Sequence, residues 1–236
     1  MALMTIAAWI ALISAHSGAV FALDTIEALC LRIGGAIGLS FYPSVLLMWL
    51  LMSIAMMLPT AMPAILLYVS LARRMEDGRA LRISLFIAGY LVAWWVFSAI
   101  AAAAQTGLRT VPVDQIPTAA AAGGIILVAG VYQLSALKQA CLAECRNPML
   151  FLMRHWTETM PGTLRLGMLH GVICVGCCWA LMLLMFATGT MNLVWMALLG
   201  LVMLGEKILP GADHWGRHAG VLMIGAGSVT LLSTLI

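Results

Sequence analysis

Leu164 to Phe186 reads LRLGMLHGVICVGCCWALMLLMF. A helix needs about 20 predominantly apolar residues to cross a bilayer, and this run is long enough. Inside it stand His170, Cys174, Cys177, Cys178, Met182 and Met185. Residues three and four apart share one helix face. His170, Cys174, Cys177 and Cys178 therefore form a stripe, and Cys178 with Met182 carries it one turn further. Thiolate, thioether and imidazole are the ligands that soft ions such as Cu(I) prefer. Cys and Met also serve as ordinary apolar filler. Three Cys so close together on one apolar helix tilt the reading toward ligands.

The rest of the chain shares this character. It is 64% hydrophobic and 9% charged over 236 residues, with a mean hydropathy of +1.07. Soluble chains carry about a quarter charged residues, so this is a membrane protein. Only helices and closed barrels satisfy the backbone in lipid. The apolar runs lack period-2 alternation, which excludes the barrel. The reading is an all-α, polytopic membrane helix bundle, a single domain over residues 1–236 with about seven transmembrane helices. The formal net charge of +3 is scattered among loops and points to no nucleic-acid partner. Five of the six Cys fall in or beside membrane segments at helix-face spacing, as reduced thiols or ligands rather than disulfides.

Leu3 to Leu23 has no Lys or Arg ahead of it, unlike a signal peptide, and is read as a first span, with His16 an interfacial residue near its end. Asp24 to Tyr42 lies along the membrane surface. The second span, Pro43 to Leu71, contains Pro59 and Pro63, which kink a helix. Met48, Met52 and Met56 recur along it every four residues, with Met57 and Met62 nearby. Ile83 to Ala104 is the third span. The fourth, Thr118 to Lys138, has Gly123, Gly124 and Gly130 for close helix contact. Its helix continues out of the membrane with Cys141 and Cys145 on one face, until Arg146, Asn147 and Pro148 stop it. Met149 to Thr163 is amphipathic and interfacial, broken by Pro161 and Gly162 ahead of the central span. The sixth span, Asn192 to Leu209, ends in Glu206 and Lys207. His214, Arg217 and His218 occupy a loop before the seventh, Gly220 to Ile236, whose start is open toward Trp215.

Cytoplasmic loops attract Lys and Arg. With the N-terminus inside, only Arg32 and Arg109 of the 12 Lys and Arg lie outside.

Four stretches carry a resemblance: WLLMSIAMMLP (Trp49 to Pro59), YQLSALKQACLAECRNP (Tyr132 to Pro148), GMLHGVICVGCCWALM (Gly167 to Met182) and NLVWMALLGLVMLGEKILP (Asn192 to Pro210). In combination the chain resembles a bacterial family of metal-binding integral membrane proteins, catalogued as a domain of unknown function and often labelled copper chaperones. The resemblance implies metal handling in the inner membrane, with copper as the metal and a copper-delivering or copper-receiving protein as partner.

Depth tests the ligand set. At about 1.5 Å per residue, Cys174 and Cys178 lie roughly 14 and 20 Å from the cytoplasmic edge near Arg165, and Met52 and Met56 about 14 and 20 Å from the outer edge near Pro43. The two groups overlap, so Cys174, Cys177 or Cys178 with Met52 and Met56 are expected to form one Cu(I) site. Cys141 and Cys145 are expected at the cytoplasmic edge, as a separate docking pair, too far for that site unless their segment folds back. Glu206 is costly beside lipid and should pair with Lys207, an Arg or water. Three functions compete: a membrane protein that delivers or transports Cu(I) for copper-enzyme assembly, a membrane thiol redox enzyme, and a structural subunit of a larger membrane complex.

Overall fold

The computed structural model describes residues 2–16, 42–73, 78–108, 118–188, 193–209 and 211–234. Among them the chain is helical and free of strands, in nine helices. These are α1 (Ala2–His16), α2 (Tyr42–Ala72), α3 (Arg79–Leu108), α4 (Thr118–Gln133), α5 (Ala136–Arg146), α6 (Pro148–His155), α7 (Met160–Thr188), α8 (Leu193–Ile208) and α9 (Ala212–Ser233). The surface segment expected from Asp24, with Cys30, lies outside the described residues up to position 41.

Among the described residues, three helices are long and apolar enough to cross a membrane: α2, α3 and α7. The α4–α5 pair, bent by 62°, makes a fourth if it counts as one broken span. Apolar side chains such as Leu66, Ile100, Val172 and Leu201 project outward from these helices and from α8. Within the described residues α1 and α8 run for 15 and 16 residues, less than the length of a full crossing.

The core forms where α2, α3 and α7 meet. Along α7, Gly167 sits against α3 so closely that a Cβ there would strike the Phe86 carbonyl, and Gly89 of α3 meets the Leu164 carbonyl in the same way. Small residues are what allow membrane helices this approach. Gly123 and Gly130 do the same for α4 against Gly227 and Gly220 of α9, whereas Gly124 faces open space.

The expected kink in α2 does not open the helix. Pro59 cannot donate to the Ala55 carbonyl, and Trp9 of α1 supplies the missing donor, its Nε1 at 3.1 Å. The Met57 carbonyl accepts from Thr60 Oγ1 at 2.9 Å and from the Tyr90 hydroxyl at 3.0 Å. The Ala55 carbonyl that Pro59 frees is thus satisfied by a neighbouring side chain. Pro161 and Gly162, expected to break the chain, fall in the first turn of α7, where a proline's missing N–H costs nothing. His214, Arg217 and His218, expected in a loop, lie in the opening turns of α9.

The largest departure is between α4 and α5. The sequence reads as one helix leaving the membrane. Instead α4 stops at Gln133, and Ser135 caps a new helix by accepting from the Lys138 N–H at 3.2 Å. Serine at an N-cap satisfies a backbone donor that would otherwise be orphaned. The bend lays α5 across α7. Arg154 of α6 then ties to Glu144 of α5 at 2.6 Å on the surface.

Candidate metal centre

Helix α7 supplies most of the sulfur. Cys174, Cys177 and Cys178 are all buried. Cys177 and Cys178 donate back to the Cys174 carbonyl, at 3.0 and 2.9 Å, the i−3 and i−4 bonds that side chains make along their own helix. Those bonds leave Cys177 and Cys178 on different sides of α7. Cys177 faces α5. Cys178 faces α2.

On the α5 side the chain returns. Tyr132, at the end of α4, hydrogen-bonds the Gly176 carbonyl. Cys141 packs over Gly176, where an added Cβ would meet the Cys141 sulfur at 2.8 Å. One turn on, Cys145 Sγ comes within 3.9 Å of Cys177 Sγ. The sulfurs of Cys145, Cys174 and Cys177 all lie within 4.8 Å of one another. Cys145 is therefore not at a separate edge position: the 62° bend at Ser135 carries it into the centre. Cys141 stays half-buried on the flank of the same helix.

On the α2 side, Trp49 packs on Phe186 with ring centroids 5.3 Å apart, and Tyr68 hydroxyl meets Thr163 Oγ1 at 3.3 Å. These contacts fix an antiparallel register. The methionine sulfur that this register brings to the cysteines is Met57's, 3.6 Å from Cys178 Sγ. Met52 and Met56 are buried as well, with Met56 lying over Gly200 of α8. Met57 follows Met56 by one residue, about 100° round the helix.

His170 lies one turn before Cys174, between the rings of Phe86, Tyr90 and Phe151. Its Nδ1 has no hydrogen-bond partner among the described residues. Met182 is fully buried one turn beyond Cys178.

Charge is concentrated beside the sulfurs. Lys207 of α8 is buried and donates to Cys174 Sγ at 3.0 Å and to Thr60 Oγ1 at 2.9 Å. Tyr90 hydroxyl stands 3.5 Å from the same sulfur. Glu206 does not pair with Lys207. It pairs with Lys138 of α5 at 2.8 Å, both side chains buried, and with Gln133. Side chains at adjacent helix positions point about 100° apart, so Glu206 and Lys207 reach different neighbours. The expectation missed Lys207 and Met57 as parts of the centre. An ionisable residue inside an apolar helix, flagged as functional by its cost, was the available signal for the first.

The donor set can be tested against a metal. Three thiolates about 2.3 Å from one ion would stand about 4 Å apart. The observed cluster needs only a small contraction to reach that spacing. All-sulfur donors select Cu(I), zinc or iron–sulfur clusters over hard cations. The five described cysteines, Cys141, Cys145, Cys174, Cys177 and Cys178, are free thiols, so none is withheld in a disulfide.

Comparison with curated proteins and with solved structures gives no match. The profile of the PpoB2 family, described as copper chaperone, matches residues 46–230. That span includes most of α2 with Pro59 and Pro63, α5 and all of the cysteine cluster, and the chain belongs to the PpoB2 copper chaperone family.

Proposed function

We propose that this protein is an integral membrane copper chaperone that takes Cu(I) as cargo on Cys145, Cys174 and Cys177. The carrying observation is the convergence of three sulfurs from two helices within 4.8 Å, inside a chain of a copper chaperone family. Cys178 and Met57 extend the sulfur-rich wall toward α2 and form the second place a soft ion would rest. Met182 and the unpartnered Nδ1 of His170 continue it along α7, and Met52 and Met56 along α2. Cys141, beside Cys145 on α5, would meet the ion as it arrives or leaves.

The chain would sit in the bacterial inner membrane with seven crossings, the N-terminus cytoplasmic, as the basic residues favour. Its partner would be a copper-receiving protein. The experiment is elemental analysis of anaerobically purified protein. The unmodified chain should retain copper, and the variant with Cys145, Cys174 and Cys177 all changed to Ser should lose it while still inserting in the membrane. Equal copper in both would refute the reading.

A further inference from the structure

Glu206 and Lys207 are consecutive, buried and oppositely charged, yet they do not neutralise each other. Each reaches a different helix of the metal centre. The Glu206 carboxylate takes Lys138 Nζ at 2.8 Å, and its backbone carbonyl takes Arg146 Nε at 2.6 Å. Lys138 and Arg146 stand near opposite ends of α5, with Cys141 and Cys145 between them. One residue of α8 thus grips α5 on both sides of Cys145. Gln133, at the bend itself, contacts both Glu206 and Lys138, so the break that turns α5 back is tied into the same network. Lys207 holds Cys174 of α7 and Thr60 of α2.

We infer that the Glu206–Lys207 dipeptide assembles the centre: Glu206 is the positioning residue for Cys145, and Lys207 for Cys174. The chemistry favours this assignment over simple packing. A buried carboxylate demands its partner far more strictly than an apolar contact does, so α5 has one place where its lysine is satisfied. That place puts Cys145 beside Cys177. Without the pair, α5 loses the charged tie at its Lys138 end, and what still holds it is apolar packing, the Cys141 contact over Gly176 and the Arg146 bond to the Glu206 carbonyl. Cys174 and Cys177, both on α7, would remain together whatever α5 did. The predicted failure is therefore selective: one sulfur leaves and two stay.

This inference rests on the proposed copper reading only for its second measurement. The first is alkylation of Cys145 in metal-free protein in membranes or detergent, followed by peptide mass analysis. In Glu206→Gln, Cys145 should react about tenfold faster than in the unmodified chain, as expected when local opening becomes easier, while Cys178, which faces α2, keeps its rate. The exchange variant Lys138→Glu with Glu206→Lys should return Cys145 toward the original rate, which loss of structure alone would not do. It also keeps the test decisive if Glu206→Gln fails to fold. The second measurement is X-ray absorption of protein loaded with Cu(I) alone. Glu206→Gln should lose one sulfur neighbour from the copper and the exchange variant should regain it. Unchanged Cys145 alkylation in Glu206→Gln, or Cys178 exposed to the same degree, would overturn the assignment. Copper without sulfur neighbours in the unmodified chain would refute the metal reading instead, leaving the alkylation result to judge the clamp.

Discussion

Cys145 is where reading by spacing and reading by structure part. Its spacing from Cys141 is a true helix-face relation, and the helix exists. What spacing could not supply is the direction of that helix, because one serine cap and a buried ion pair decide it. Met57 teaches the same lesson at smaller scale. Met52 and Met56 share the four-residue rhythm, but the sulfur in contact with Cys178 is the next one along. Met57→Leu should cost less than about 1.5 kcal/mol of stability as a near volume-conserving change, yet weaken copper retention. Met52→Leu should leave retention closer to that of the unmodified chain. Competition with a Cu(I) chelator measures both. By contrast, Cys174, Cys177 and Cys178 were legible from the first, since their neighbours in space are their neighbours in sequence.

Element by element, the long apolar helices were readable to within a few residues, because bilayer crossing is written in composition. The joints were not. Pro59 signalled a break, and α2 stays whole because Trp9 caps the freed carbonyl. Trp9→Phe should therefore destabilise the α1–α2 packing by about 1 kcal/mol, the net value of such a bond. Thermal unfolding in detergent would show it as a lowered midpoint. Gly167→Ala should do more, since its Cβ meets the Phe86 backbone rather than a flexible side chain. Overpacking of this kind costs about 1–3 kcal/mol. The α5–α8 tie gives a sharper contrast. Lys138→Met alone leaves Glu206 buried without its counter-charge and should cost about 3–5 kcal/mol, while Lys138→Met with Glu206→Met should recover most of it. Similar losses in the single and double variants would mean that the pair carries no such burden.

Taken as a whole, the molecule is a bundle in which a charged cluster at the end of α8 is enclosed beside a sulfur cluster on α7. All-helical architecture and membrane-length helices followed from hydropathy. The juxtaposition did not, because Lys207 and Cys174 are brought together by tertiary packing that no local period encodes. The proposed orientation has its own check: a reporter fused after Ile236 should be active only as a type that works outside the cytoplasm, and cytoplasmic activity would require a different number of crossings. The central claim is that one soft ion sits among Cys145, Cys174 and Cys177. X-ray absorption at the copper edge of Cu(I)-loaded protein, compared with its Cys145→Ser variant, tests it most directly. The account predicts three sulfur neighbours at about 2.3 Å in the first and one fewer in the second. Nitrogen or oxygen neighbours alone, or a sulfur count that Cys145→Ser leaves unchanged, would contradict it.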